Sequence, residues 1–224
     1  MNRILCIESA TKNCSVGLAQ GTELISLHEE SAEKYIHAER LHVLISEALA
    51  ETGIATPDAI AISRGPGSYT GLRIGTAAAK GLCFAWGIPL IAIDTLDHLG
   101  AMLRQDHPGF DYYIPMIDAR RMEVYTAQYA SNGDRVTDVR ALVIDENSFS
   151  DLEGKCCIGG DGADKCTEIL ANASFTFIKD VLPSARGMAL LAEEMFQRNE
   201  IVDPAYFEPF YLKDFVAGKP KPLI

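Results

Sequence analysis

Two stretches of this chain repeat one order of features: a strand, an acidic residue, a short turn and a second strand. The first is IESATKNCSVGLAQ, which begins at Ile7, and the second is IDARRMEVYTAQY, which begins at Ile117. Each is followed by a strand and a glycine-rich turn, in AISRGPGSYTGLRIG and in CCIGGDGADKCTEIL. Because an internal repeat reflects the architecture of a fold, the sequence predicts two similar halves.

The hydrophobic patterns predict three antiparallel strands in each half, followed by alternating helices and strands. The first half has predicted strands at 3–9, 14–20, 23–30, 59–63 and 89–94, and helices at 38–51, 69–86 and 95–104, the last capped by Thr95. The second half has predicted strands at 113–118, 123–130, 136–144 and 175–178, a strand, turn and helix from residue 156, and a helix at 184–199.

This order of elements is the one expected of a ribonuclease H-like half. Two such halves in tandem predict an α/β, two-lobed fold of the actin and hexokinase ATPase type. His107, Pro108 and Gly109 mark the border between the halves. The predicted domains are therefore an N-terminal lobe at 1–106 and a C-terminal lobe at 107–224.

Composition narrows the function classes. The formal net charge of −11 repels nucleic-acid phosphates, so a nucleic-acid role has to be local or delegated to a partner. No apolar run is long enough for a membrane span, and no signal peptide is visible. The six cysteines lack CxxC spacing, which favours reduced core thiols in a cytoplasmic protein over a metal or redox site.

The stretch SRGPGSYTGLRIGTAAAK, residues 63–80, combines a glycine turn with the start of a long helix. Such a turn can bind phosphate through backbone N–H groups and the helix dipole. However, it lacks the Gly-Lys-Ser/Thr ending of a P-loop and the G-x-S-x-G pattern of a nucleophile elbow. Gly71 and Gly75 also cost the helix about 1 kcal/mol each relative to Ala, so a neighbour has to pack closely against them. We therefore favour a close-packed structural corner, with anion binding as the minor hypothesis.

Two other polar turns are candidate sites. Glu8, Ser9 and Thr11 could hold a nucleotide phosphate or its hydrated Mg²⁺, as could the turn Gly160-Asp161-Gly162. The alternatives are a polar hairpin with nothing bound and a tight turn before a helix.

The histidines give little support for a metal site. His37 and His42 are five residues apart on a predicted helix, whereas zinc pairs are usually four apart, so a metal site there is not favoured. His28, His98 and His107 have no evident carboxylate or cysteine constellation in the sequence.

Four strings, SRGPGSYTGLRIG, IESATKNCSVGLA, IDARRMEVY and PAYFEPFYL, together resemble the bacterial TsaB family along essentially the whole chain. The resemblance implies the two-lobed actin-like fold and a non-catalytic, cytoplasmic subunit with no membrane contact. The subunit would support TsaD, with TsaE, in transferring a threonylcarbamoyl group to the tRNA adenosine next to the anticodon. It implies no catalytic or metal-binding residue and no intrinsic cofactor in this chain. ATP or ADP and Mg²⁺ would bind at the level of the complex, and this chain would contact tRNA only indirectly.

The resemblance also implies that partners bind through the first two helices. The pattern of the second helix agrees with this implication, because the helix is too apolar to be covered by one sheet. Its polar residues form one narrow stripe. The expected partner-binding residues are Leu41, Leu44, Ile45, Ala48, Tyr69, Leu72, Arg73, Thr76 and Lys80. Without TsaD, the same surface could form a homodimer.

Three alternatives stay open on the residues. The chain could be a stand-alone ATP-dependent phosphotransferase, a glycoprotease-like metallopeptidase or a free-standing tRNA-binding module. The charge opposes the last, although Lys213, Lys219 and Lys221 form a basic tail that could contact RNA, with a solvated end as the simpler interpretation.

Overall fold

The computed structural model describes residues 1–32 and 35–213. The first half contains β1 (Arg3–Glu8), β2 (Asn13–Gln20), β3 (Glu23–Ser31), α1 (His37–Thr52), β4 (Ala59–Gly65), α2 (Tyr69–Trp86), β5 (Leu90–Asp94) and α3 (Thr95–Asp106). The second contains β6 (Tyr112–Asp118), β7 (Glu123–Thr126), β8 (Tyr129–Ala130), β9 (Arg140–Val143), β10 (Cys156–Gly159), β11 (Phe175–Ile178) and α4 (Ala189–Gln197).

The first sheet has the strand order β3-β2-β1-β4-β5. Strands β1, β2 and β3 are antiparallel neighbours, whereas β4 and β5 run parallel to β1. Side chains of β1 alternate between the two faces of the sheet: Leu5 and Ile7 pack with α1 and α2, and Ile4 and Cys6 pack with α4. Helices therefore cover both faces of this sheet.

The second sheet repeats the first. Its order is β11-β10-β6-β7-β9, with β8 also paired to β6. Strand β6 takes the central place of β1, with antiparallel β7 on one side and parallel β10 on the other. The internal repeat predicted from the sequence is confirmed, and so is the two-lobed α/β fold made of ribonuclease H-like halves.

The two halves are joined by helices that pack across to each other. Helix α3 follows β5 of the first sheet, yet its Leu96, Leu99 and Leu103 pack with Tyr113 and other residues of the second sheet. Helix α4 follows the second sheet and packs on β1 and β5 of the first. The cores of the lobes are thus completed by helices from the other half of the chain.

One predicted strand of the second half is wrong in its extent. The strand predicted at 123–130 is interrupted between Thr126 and Tyr129, opposite Pro115 of β6. Proline has no N–H to donate to the ladder, and the hydroxyl of Thr126 donates to its carbonyl instead (2.9 Å). The third predicted strand is shorter than expected, since β9 covers only Arg140–Val143.

Two predicted helix features are also wrong. The helix expected after Gly160 is a single 3₁₀ turn at Asp164–Cys166. There the hydroxyl of Thr167 donates to the carbonyl of Asp164 (2.9 Å), a local bond that competes with helix propagation. Asp94, rather than Thr95, is the N-cap residue of α3, and the Thr95 hydroxyl instead lies 2.8 Å from that of Ser63.

All six cysteines are buried and unpaired, as predicted. Burial raises the pKa of the Cys6 thiol to about 12, so this thiol is unreactive near neutral pH. Within residues 1–32 and 35–213, no helix is long and apolar enough to cross a membrane.

Candidate partner-binding site

The start of α2 is packed against the turn between β1 and β2. A Cβ added at Gly71 would overlap the carbonyl oxygen of Ser9, and one added at Gly75 would overlap the Ser9 hydroxyl. A Cβ at Gly67 would overlap the carbonyl of Ala10. The glycines therefore allow a close approach of helix and hairpin, which confirms the structural corner predicted from the sequence.

The corner also uses two of the backbone N–H groups that could bind a phosphate. Ser68 is the N-cap of α2, and its side chain accepts the N–H of Gly71 (3.2 Å). The N–H of Ser68 donates to the carbonyl of Ala10 (2.6 Å). These two N–H groups are thus already engaged within the chain.

The apolar residues predicted to meet a partner lie inside the lobe. In α1 the inward side is buried against β2 and β3, and in α2 Leu72 is fully buried. These side chains hold the two helices on the sheet and are unavailable to a partner in this structure. They are Leu41, Leu44, Ile45, Ala48 and Leu72.

The polar stripe of α2 faces the C-terminal segment of the chain, residues 203–213. Lys80 donates from Nζ to the carbonyls of Ala205 (3.3 Å) and Phe207 (3.0 Å), and the Tyr69 ring lies 5.0 Å from that of Tyr211. Thr76 is buried. Arg73 is exposed, with its guanidinium 4.7 Å from the centre of the Tyr69 ring. The stripe thus anchors this segment, a contact that the helix pattern could not reveal.

The surface that α1 and α2 leave open is formed by other residues. On α2 the exposed side carries Ala77, Gly81 and Phe84, which share one helix face at spacings of four and three residues. Phe84 is 91% exposed, and Val43 of α1 is 38% exposed. We call these exposed apolar and small residues of the two helices, Val43 with Ala77, Gly81 and Phe84, the outer face of the helix pair. A nearly bare phenylalanine beside small residues is a feature of surfaces that bind other proteins.

The predicted nucleotide-binding residues of the first half lie in a different environment from those of the second half. Glu8, Ser9 and Thr11 are buried. One oxygen of Glu8 accepts the N–H of Ala10 (2.5 Å), and the other lies 2.6 Å from Nε2 of the buried His98 on α3. Glu8 therefore links the end of β1 to α3 and is not presented to a ligand.

In the second half, Asp161 lines the cleft between the lobes. A Cβ at Gly160 or at Gly162 would overlap or crowd the backbone of β6, so these glycines serve packing. The turn at 160–162 thus reaches the cleft through Asp161, which faces Lys12 and Ala10 of the β1–β2 turn, whereas Glu8, Ser9 and Thr11 are buried behind it.

The histidines serve structural contacts. His98 pairs with Glu8, and His28 lies 2.9 Å from Glu51 and 3.6 Å from Glu47, so the view that neither has a carboxylate nearby is wrong. His37 is buried at the start of α1, where desolvation lowers its pKa against smaller opposing effects of Asn13 and Glu8. The described part of the chain contains no group of three or more His, Cys, Asp or Glu side chains that could hold a metal ion.

The tandem ribonuclease H-like halves place the protein in the class of two-lobed, actin- and hexokinase-like folds. A solved structure titled YeaZ from Pseudomonas aeruginosa has the same fold, with a TM-score of 0.82, 28% sequence identity and coverage of 95% of this chain and 100% of that one.

Sequence comparisons narrow the class to a family. The family model described as TsaD, tRNA N6-adenosine threonylcarbamoyltransferase, matches residues 30–148. A protein of Escherichia coli K12 named tRNA threonylcarbamoyladenosine biosynthesis protein TsaB is 32% identical over 98% of both chains. Its namesake in Haemophilus influenzae is 30% identical over 98% of this chain and 97% of its own. This chain belongs to the TsaB family, within the wider group that the TsaD model describes.

Proposed function

We propose that the protein is a non-catalytic subunit of the machinery that forms threonylcarbamoyladenosine in tRNA, and that it binds a TsaD-type subunit through the outer face of its helix pair. The observation that carries the proposal is Phe84, which is 91% exposed on α2, a helix that is apolar on most of its sides. Fully burying a phenylalanine side chain contributes about 1.5–3 kcal/mol. Phe84 is therefore a strong candidate for the central contact of an interface.

The shape of the outer face supports a helix as the partner element. Ala77 and Gly81 precede Phe84 on the same side, and a Cβ at Gly81 would meet nothing within 4 Å in this chain. Small side chains let a second helix approach closely, with Phe84 fitting beside it.

The range matched by the TsaD model supports TsaD as the partner. Residues 30–148 include both α1 and α2, so a TsaD-type protein would present a comparable helix pair. Two similar pairs can pack about a pseudo-two-fold axis, and the same surface would form a homodimer when the partner is missing. A specific interface of this kind buries roughly 800 Å² on each partner.

Chemistry and tRNA contact are proposed to belong to the other subunits. Glu8 is held by Ala10 and His98 and is buried, so it is not placed to act on a substrate. The net charge of −11 disfavours direct tRNA binding, which leaves that role to TsaD and TsaE. Lys213 pairs with Glu123, whereas Lys219 and Lys221 lie outside the described residues. The unpaired buried thiols support a reducing compartment, the cytoplasm.

The test is co-purification of the full-length chain with TsaD from the same organism. Phe84→Asp should remove complex formation while leaving the far-UV spectrum and melting temperature near those of the wild type. Val143→Asp is a matched control, because Val143 is 65% exposed but lies on β9 of the second half. If both variants bind TsaD as the wild type does, the outer face is not the binding surface.

A further inference from the structure

A groove of about 570 Å³ lies between the C-terminal end of α2 and the start of the C-terminal segment. It continues the outer face of the helix pair, because Gly81 and Phe84 belong to both. Phe84 is 91% exposed, and Tyr206, which directly follows the groove residue Ala205, is 84% exposed. Two nearly bare aromatic side chains thus lie at or beside one groove, and aromatic side chains are enriched in protein interfaces.

The two charged side chains of the groove are engaged with the backbone of the chain itself. Nζ of Lys80 donates to the carbonyls of Ala205 (3.3 Å) and Phe207 (3.0 Å). The carboxylate of Asp203 accepts the backbone N–H of Ala205 (2.8 Å). These charges therefore hold the wall of the groove together, and they are of opposite sign, so the groove has no net charge to attract an ion.

The rest of the groove is apolar. Cys83, Phe84, Ile88 and Pro204 line it. The end of α2 is closed within the chain, because the N–H groups of Gly87 (2.9 Å) and Ile88 (3.2 Å) both donate to the carbonyl of Cys83. A charged guest would lose its hydration here without compensation, whereas an apolar side chain would gain from burial. The lining thus selects an apolar guest.

The outer face alone is small for a specific interface. It has four residues, and two of them are Ala77 and Gly81, whereas a standard interface involves about 20–30 residues on each side. A partner that binds there has to contact more of the surface. The groove is the apolar surface that continues the outer face beyond Phe84.

The spacing of small residues along α2 suits a helix as the carrier of the guest side chain. Ala77 and Gly81 are one turn apart, roughly 6 Å along the helix axis. A Cβ at Gly81 would meet nothing within 4 Å, so a partner helix crossing there comes close to the backbone of α2. A side chain about one turn further along that helix then lies over the groove.

We propose that the groove receives one large apolar side chain, of the size of leucine, methionine or phenylalanine, from a helix of the TsaD-type subunit. Phe84 packs along one side of this guest, and the C-terminal segment packs along the other. This role of the groove rests on the proposed binding of TsaD at the outer face, to which it adds a pocket filled by a single anchor residue. It also gives the C-terminal segment a part in partner binding.

The test is the affinity of the full-length protein for TsaD from the same organism, measured by calorimetric titration, with Ala205→Phe as the variant that fills the groove. Ala205 is exposed, so the melting temperature should stay near that of the wild type. The affinity for TsaD should fall by about tenfold or more, because the new ring occupies the place of the anchor side chain. Ala205→Ser should bind as the wild type does, since it leaves the groove open.

Ala173→Phe is the matched control, because Ala173 is an exposed alanine of the second half that does not line the groove. Its affinity for TsaD should stay within about twofold of the wild type, as expected outside an interface. Equal losses in Ala173→Phe and Ala205→Phe would overturn the role of the groove, because the loss would then not depend on where the ring is placed.

Failure of this role and failure of the proposed function give different results. If Phe84→Asp loses TsaD and Ala205→Phe binds it like the wild type, the guest side chain does not exist, although binding at the outer face stands. If Phe84→Asp also binds like the wild type, the outer face is refuted as well. The competing occupant is Phe84 of a second copy of this chain. If Ala205→Phe keeps its affinity for TsaD but abolishes a homodimer in sedimentation velocity, that copy is the occupant and the assignment to TsaD is overturned.

Discussion

Adding one methyl group at Gly81 of α2 should stabilise the protein, whereas adding one at Gly71 should not. At Gly81 a Cβ would meet nothing within 4 Å, so Gly81→Ala should stabilise the protein by up to about 1 kcal/mol through helix propensity. At Gly71 the same methyl would overlap the backbone carbonyl oxygen of Ser9, which cannot rotate away as a side chain could. Overpacking of this kind costs about 1–3 kcal/mol, which offsets or exceeds the gain in propensity.

The difference between the two variants isolates the packing cost, because the substitution and the helix are the same. Urea unfolding should place Gly71→Ala about 1–3 kcal/mol below Gly81→Ala in free energy of unfolding. For a chain of this size, that difference corresponds to about 2–12 °C in melting temperature. Equal stability of the two variants would refute the close contact between α2 and the β1–β2 hairpin.

Three further substitutions test other parts of the structure. Burial lowers the pKa of His37, so its neutral ring contributes stability that is present above the unfolded pKa near 6.5 and is lost as the pH falls through the folded pKa. Urea unfolding should therefore show that His37→Gln loses less free energy of unfolding than the wild type between pH 7 and pH 5. Parallel losses in the two proteins would contradict this. Arg135 donates to the carboxylates of Asp94 (2.9 Å) and Asp97 (3.2 Å). Arg135→Ala should therefore lose about 1–3 kcal/mol of unfolding free energy, and Arg135→Lys should lose less. Equal losses in the two variants would exclude a role for the hydrogen bonds to both carboxylates. Leu44 is 3% exposed, so Leu44→Glu should lose its cooperative thermal transition, because it buries an unpaired charge; a normal melting curve would show that Leu44 is accessible.

The first half of the chain could be predicted closely because local signals agree with the fold. Helix α2 begins after Ser68 and ends at Gly87, which adopts a left-handed backbone, and both signals are visible in the sequence. The apolar residues of β1 to β3 likewise set the strands to within a residue or two. The second half was predicted less well. Pro115 of β6 interrupts its pairing with the strand predicted at 123–130, and the contact with Thr126 spans eleven residues, so no local pattern reveals it.

The candidate site was harder to predict than the fold. Periodicity identified the polar stripe of α2, but it could not show that Lys80 binds the C-terminal segment or that Thr76 is buried. The outward face therefore had to be read from the structure, in which Phe84 is exposed although its residue type suggests burial. The one signal in the sequence was that α2 is apolar on too many sides for a single sheet.

Polar contacts between residues far apart in the chain also could not be predicted from the sequence. Glu8 and His98 are separated by most of the first half, and only the tertiary packing of α3 brings them to 2.6 Å. The packing of α3 and α4 across the two halves has the same origin, since it depends on tertiary arrangement rather than on local pattern. The lobe border near His107 stays a prediction.

The most direct test of the proposed function is a reconstituted modification assay with purified TsaD, TsaE, tRNA and a source of threonylcarbamoyl-AMP. The protein alone should form no threonylcarbamoyladenosine, and adding it to the other components should restore the reaction. Phe84→Asp should fail to restore it, whereas Val143→Asp should act as the wild type does. Modification of tRNA by the protein alone, or full activity of Phe84→Asp, would contradict a non-catalytic subunit that acts through the outer face of its helix pair.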